Sequence, residues 1–340
     1  MYQVDTDPAS QANLDQGDDK KRGLRAANKN GDTEMKLKKL LKSISILVGS
    51  VLLSPAVSAG GLADMTHEEL TAWMQNVNAK LNAANAGYNI EGLEFYTIGK
   101  GRPSIRIHAL EDRWVDGDAR RNPGGFRVAG LDQITYHSDS GNPPTSLGTF
   151  PLKEINGAMD TWNETKCLDK VDVIPNQLAG PDIPSSAFGD LTLIDELFCP
   201  IADFGGPNDA YPFGSDIVHG GWYPKECFGQ NTLAFSATFI FGTFTDAGFV
   251  PSDINGDNRL DTAFNEVYYN DKWAWMIDAA PLPYVDVETG VFHEAGHSLG
   301  LGHFGPPPSA IMNPVYAGAQ TTPAPIDHAG MCSVWKSWPQ

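Results

Sequence analysis

The chain has 340 residues, 41% of them hydrophobic, an ordinary share for a globular protein and enough for one large domain or two small ones. Asp and Glu outnumber Lys and Arg by 42 to 24, a net charge of −18. Binding a phosphate backbone needs clustered cations, so nucleic acid is excluded as the expected partner and the acidity is read as solubilising.

The N-terminus reads as a leader. Residues 1–34 are polar and charged with few large apolar groups, so they are expected to be disordered and a non-native upstream extension. Met35 opens a second pattern: Lys36, Lys38, Lys39 and Lys42, an apolar run from Ile44 to Leu53, then Val57-Ser58-Ala59 before Gly60. A basic front, an apolar middle and small residues before the cut are the signal-peptide features, so residues 35–59 are expected to be removed on export, with Met35 the true start. The run is shorter than the roughly 20 apolar residues that span a bilayer. No Cys comes after it for a lipid anchor. The expectation is a secreted protein, extracellular or periplasmic, with no stable membrane anchor, and a monomer.

Residues 60–130 read as an N-terminal extension. Thr66 and Glu69 have capping-box spacing, and Leu70, Trp73, Met74, Val77 and Leu81 succeed them at helical spacing. "LEFYTIG" (93–99) and "SIRIHAL" (104–110) alternate like short strands, and His108 in the second is read as structural. Residues 131–340 then read as one domain. "LDQITYHSD" (131–139) is a strand, and residues 149–165 place Leu152, Ile155, Ala158, Met159 and Trp162 on one helical face. "KVDVIPN", "SDIVHGGW", "NTLAFSATFIF" and "FNEVYYNDKWAW" have strand composition with turn residues between them. His219 in the second of these is read as structural. Helices are expected over 285–300 and from Pro325 to Trp335. The order is strand, helix, four strands, two helices, an α/β (α+β) class. Cys167, Cys199, Cys227 and Cys332 make no close pair suited to zinc, so two disulfides are expected, with three pairings open.

"DINGDNRLD" (253–261) puts Asp253, Asn255, Asp257 and Asp261 at offsets 1, 3, 5 and 9 of a calcium loop, with the Arg259 carbonyl at 7. Asn258 holds the usual glycine position and Phe264 the usual acidic one at 12, so an ordinary Asx-rich turn is the alternative.

"HEAGHSLGLGH" (293–303) holds three of the eight histidines. On a helix, His293 and His297 share a face about 6 Å apart along the axis, which suits one zinc ion. Glu294, one position round, reaches a water on the metal without ligating it. Gly300 can end the helix in a left-handed conformation and let His303 return as third ligand. Three protein ligands leave a fourth position open, the arrangement of catalytic zinc.

His293-Glu294-x-x-His297-x-x-Gly300-x-x-His303 resembles the metzincin signature of zinc endopeptidases. "AIMNPVY" then places Met312 in the role of the methionine turn beneath the metal, and its Met-x-Pro-x-Tyr spelling is similar to the matrixins. The resemblance implies that Pro314 and Tyr316 wall the pocket for the substrate side chain beyond the scissile bond. "DHAGM" is similar to the start of the matrixin C-terminal helix. The implied fold is a metzincin catalytic domain: a twisted mixed sheet of about five strands, the active-site helix, the Met-turn and a C-terminal helix. Phe304 stands where matrixins usually have Ser or Thr, and Pro314 occupies the position two after Met312 where astacins have a zinc-binding tyrosine, so Tyr316 is not assigned as a ligand. Neither a cysteine-containing inhibitory motif nor the His/Asp pattern of a structural zinc site is evident.

The expected activity is a secreted zinc-dependent endopeptidase acting on protein or peptide, with Glu294 as general base. "TLAFSATFIF" is expected to be an edge strand, with substrate lying extended along it as an added strand. Two rivals are a zinc hydrolase of non-peptide amides or esters, and a non-catalytic secreted binding module stabilised by metal. A general base beside the ligands argues against the second.

Overall fold

The computed structural model describes residues 61–83, 86–109, 111–115, 133–140, 142–168, 171–175, 215–278, 283–305 and 310–338. The expected leader and Cys199 lie outside the described residues. The α-helices are α1 (His67–Ala83), α2 (Leu152–Asn163), α3 (Val287–Ser298) and α4 (Pro325–Trp335). The strands are β1 (Tyr88–Thr97), β2 (Ile105–Arg106), β3 (Asp112–Arg113), β4 (Gln133–Ser138), β5 (Asp172–Pro175), β6 (Ile217–Tyr223), β7 (Thr232–Thr245), β8 (Gly248–Pro251), β9 (Leu260–Asn270), β10 (Trp275–Met276) and β11 (Val285–Asp286).

Local chemistry sets the helix ends. The Thr66 hydroxyl accepts the Glu69 N–H at 3.2 Å and the Glu69 carboxylate accepts the Thr66 N–H at 2.7 Å, the reciprocal box that starts α1. Leu70, Met74, Val77 and Leu81 then face inward. Helix α2 buries Ile155, Ala158, Met159 and Trp162, the stripe that its spacing predicts.

The main sheet has nine strands in the order β2-β1-β7-β9-β6-β4-β5, with β3 on β9 and β8 on β7. Strands β5, β4, β6 and β9 run parallel, while β7 is antiparallel to both β9 and β1. One core cluster joins α2, α3 and α4 to Tyr136, Ile217, Val267 and Tyr269 of the sheet. A second joins α1 to Leu93, Phe95, Phe235, Phe264 and Tyr268. Neighbouring strand residues alternate between the two clusters, so helices cover both faces, an α/β architecture.

The expected mixed sheet is present: β5, β4, β6, β9 and β7 are its five main strands within residues 131–340, and β1, β2, β3 and β8 add to them. One expectation is corrected. "TLAFSATFIF" is not an edge: β1 pairs with β7 from Tyr88↔Phe241 to Thr97↔Thr232. The segment read as an extension therefore shares the sheet and its core.

Cys167 and Cys332 form a disulfide across 165 residues, tying the end of α2 to α4. Cys227 is disulfide-bonded as well. Among the described residues no helix is long and apolar enough to cross a membrane.

Candidate metal centre

Helix α3 is placed by both of its ends. Asp286 caps it, its carboxylate accepting the Thr289 N–H at 2.8 Å. At the other end Gly300 has φ +90°, the left-handed conformation a glycine adopts without a Cβ penalty. The Leu301 N–H reaches the Gly296 carbonyl at 3.0 Å and the Gly300 N–H the His297 carbonyl at 2.8 Å, a Schellman closure. That closure reverses the chain and returns His303 to the helix.

The three Nε2 atoms converge: His293 to His297 3.1 Å, His297 to His303 3.1 Å and His293 to His303 3.3 Å. The Nδ1–H of His293 donates to the Ile311 carbonyl at 2.6 Å, and that of His297 to the Leu301 carbonyl at 2.7 Å. These bonds fix the tautomer and leave both Nε2 lone pairs facing inward, as metal-ligating histidines require. Burial lowers the pKa of His293 and His297 well below the usual value, with neighbouring imidazoles acting in the same sense, and takes His303 down to about 4. Three neutral imidazoles, two of them buried and the third partly so, with their Nε2 atoms facing one another, fit a cation. Among the described residues they are the one group of three or more His, Cys, Asp or Glu side chains so gathered.

Glu294 is fully buried, with the Ser236 side chain beside its carboxylate. Burial, then the charge of Glu94, raises its pKa well above the carboxylate range, while Ser236 acts to lower it. A cation among the histidines acts in the opposite sense.

Met312 is buried beneath α3 against Gly296. Its turn is held by Asp327 in the first turn of α4, whose carboxylate accepts the N–H groups of Ile311 at 3.0 Å, Met312 at 3.3 Å and Ala324 at 2.7 Å. Sequence reasoning singled out "DHAGM" but missed this anchoring; an acidic residue just after Pro325 was the available signal. Pro314 and Tyr316 bond to β1. The Pro314 carbonyl accepts the Thr97 N–H at 3.1 Å, and the Tyr316 N–H donates to the Thr97 carbonyl at 2.8 Å. The Tyr316 hydroxyl accepts the Asp286 N–H at 3.0 Å.

Two further residues at the site were not singled out from sequence. The Tyr96 ring stacks on His293 with centroids 3.7 Å apart. A Glu94 carboxylate oxygen stands 3.5 Å from His303 Nδ1, the nitrogen facing away from the cluster. Both read as ordinary strand residues, since only pairing with β7 brings them here.

The 253–261 loop lies between β8 and β9. Its carboxylates accept backbone N–H groups: Asp253 those of Asp257 and Asn258 at 3.0 Å, Asp257 that of Arg259 at 2.9 Å, Asp261 that of Ile254 at 3.0 Å. Asn255 accepts the Asp257 N–H at 3.2 Å. Asn258 has φ +63°, the left-handed turn expected of it. A guanidinium nitrogen of Arg113 stands 3.6 Å from Asp257 Oδ2. His108 is paired with Glu91 at 2.5 Å, and His219 with the Tyr269 hydroxyl at 2.8 Å.

A helix with two facing histidines, a glycine reversal, a third histidine and a buried methionine turn together make a candidate metal centre similar to that of the metzincin class. Residues 242–335 match the family model described as Matrixin, and that stretch, which holds the three histidines, is similar to a matrixin-like metzincin site. A comparison with curated proteins returned no match.

Proposed function

We propose that this chain is a secreted zinc endopeptidase, with His293, His297 and His303 as zinc ligands and Glu294 as general base. The observation that carries the reading is the convergence of three Nε2 atoms within 3.3 Å beside a buried carboxylate one helix position away. A structural metal site has no use for that carboxylate.

Zinc, when bound, supplies a Lewis acid that polarises the scissile carbonyl and lowers the pKa of water. Glu294 takes a proton from the attacking water and later delivers one to the leaving amine. The backbone carbonyls of Ile311 and Leu301 hold two of the imidazoles in their ligating tautomer. Met312 and Gly296 set the floor of the site, and Asp327 holds that floor in place. Pro314 and Tyr316 supply the wall against which the substrate side chain beyond the scissile bond packs. Metal analysis with a quenched-peptide assay on the Glu294→Ala chain tests the assignment.

Export rests on the pattern of residues 35–59, with maturation at Gly60. N-terminal sequencing of exported protein tests it: Gly60 is expected first, and residues 1–34 still attached contradict it. The 253–261 loop is proposed as a calcium site through Asp253, Asn255, Asp257, Asp261 and the Arg259 carbonyl. Its support is the left-handed Asn258 and the Asp253 carboxylate accepting the N–H groups at offsets 5 and 6. An Asx-turn loop paired to Arg113 is the alternative.

A further inference from the structure

We infer that β1 is the chain's own occupant of the substrate cleft, with Tyr96 filling the pocket for the side chain beyond the scissile bond. The inference rests on the protease reading for the meaning of that pocket, and on geometry for the occupancy.

An extended substrate at this centre needs two partners. One is the side of β7 away from β9, whose main-chain groups could take an added strand. The other is the segment after Met312, which walls the side-chain pocket. Strand β1 holds both. It lies antiparallel to β7, with Leu93 opposite Ala237, Glu94 opposite Ser236 and Tyr96 opposite Ala234. At its end it bridges in parallel to the wall, Thr97 to Val315, through the two bonds from Thr97 to Pro314 and Tyr316. A strand with these two pairings lies between the wall and β7 and leaves neither free for a second peptide.

The side chains obey the same logic. Residues of a strand alternate between faces. Leu93 and Phe95 point into the cluster with α1, while Tyr96 joins the cluster on the metal side. Its ring is stacked on the first histidine at 3.7 Å and set edge-on to Tyr316 with centroids 5.9 Å apart. Tyr96 is 3% exposed, and a cavity of only about 50 Å³ remains beside it against Asn313, Val315 and residues 317–320. A phenol ring thus sits between the metal-site imidazole and the proposed wall. With β1 in place the site is blocked to substrate, and substrate entry requires β1 to be displaced or removed. The pocket that Tyr96 fills has the shape for an aromatic side chain, which makes extended peptides with Tyr or Phe just beyond the scissile bond the favoured substrate class.

The test uses the full zinc-loaded chain as wild type, Tyr96→Phe and Tyr96→Ala, with a short peptide hydroxamate bearing an aromatic side chain as probe. Two quantities are read: probe affinity, and hydrogen exchange of the β1 amides with and without saturating probe. The expected result is that Tyr96→Ala binds the probe at least about tenfold more tightly than wild type, because the competing ring is gone. Tyr96→Phe keeps the ring and stays near wild type. Saturating wild type with probe strips protection from the amides of residues 93–97. Wild type that binds the probe as tightly as Tyr96→Ala, or that keeps β1 fully protected while saturated, overturns the inference. Should Tyr96→Ala fail to fold, the exchange measurement on wild type decides alone. A gain in probe binding with no peptide cleavage by any of the three chains removes the endopeptidase reading and leaves the occupancy standing. Cleavage by wild type with β1 still protected does the reverse.

Discussion

Gly296 lies against Met312 so closely that a β-carbon at position 296 would stand 2.3 Å from the methionine sulfur and 3.0 Å from the Trp162 ring. The glycine between the two helical histidines is therefore a packing requirement: it lets the methionine turn rise to the back of the helix that carries the ligands. Gly296→Ala is expected to cost about 1–3 kcal/mol, the usual range for overpacking a filled core. It should also weaken zinc binding, because α3 must lift from Met312. Thermal melts of the apo chain and competition with a zinc chelator check both effects. Unchanged melting would show that Met312 moves aside freely.

The cross-link between α2 and α4 constrains a long loop. Cys167 and Cys332 are 165 residues apart, and the chain-entropy model gives about 5 kcal/mol for closing such a loop. The Cys167→Ser, Cys332→Ser chain is expected to melt well below wild type and to lose Met-turn order first, since α4 carries Asp327. Denaturant unfolding with tryptophan fluorescence measures the difference. A change under about 1 kcal/mol would mean that the reduced, unfolded chain keeps structure across this loop.

His137 gives a pH dependence whose sign can be worked out. It is fully buried, neither ring nitrogen has a hydrogen-bond partner among the described residues, and burial takes its pKa down to about 4. The unfolded value is about 6.5, so below that pH the unfolded chain binds a proton that the folded chain refuses. Stability from this group is complete above pH 6.5 and falls as the pH drops towards 4. Between pH 6.5 and 5 the loss is about 2 kcal/mol. Glu94, raised to about 7 by burial, acts in the opposite sense, so a comparison with His137→Gln is needed to isolate the histidine. The stability difference between wild type and His137→Gln should shrink on going from pH 7 to pH 5. A constant difference would contradict the buried neutral state.

Calcium at the 253–261 loop is expected to raise the melting temperature of wild type relative to chelator, by mass action on the native state. Asp257→Ala should abolish that rise. It should also lower stability in chelator, because the Arg113 guanidinium loses the carboxylate 3.6 Å away. Equal melting of wild type with calcium and with chelator leaves the Asx-turn reading in place.

The features legible in sequence divide from the rest along physical lines. Helix α4 has the expected bounds, Pro325 to Trp335, because a proline at the first position marks the start unambiguously. Gly300 and the histidine spacing were legible because a reversal of this kind is made within a few residues. The whole of β1 is buried, so it carries no polar-out alternation that could reveal its neighbours. Which strand it joins is a long-range choice, and that choice is what turns β7 from an edge into an interior strand. Tyr96 and Glu94 were missed for the same reason: each acquires its role from a partner far away in the chain, His293 and His303. Strands β10 and β11 have two residues each, too few to show a period.

In the mechanism proposed above, three histidines hold the metal and Glu294 moves the proton. Zinc content and peptide cleavage, measured together on Glu294→Ala and its parent, test it most directly, both in the wild-type chain and in the Tyr96→Ala chain with its pocket emptied. About one zinc per chain is expected in parent and variant alike, with cleavage in the variant lower by about 10²–10⁴-fold. His293→Ala, His297→Ala and His303→Ala should each lose zinc and cleavage together. Full zinc with no cleavage by either parent, or a Glu294→Ala chain as active as its parent, would contradict that mechanism.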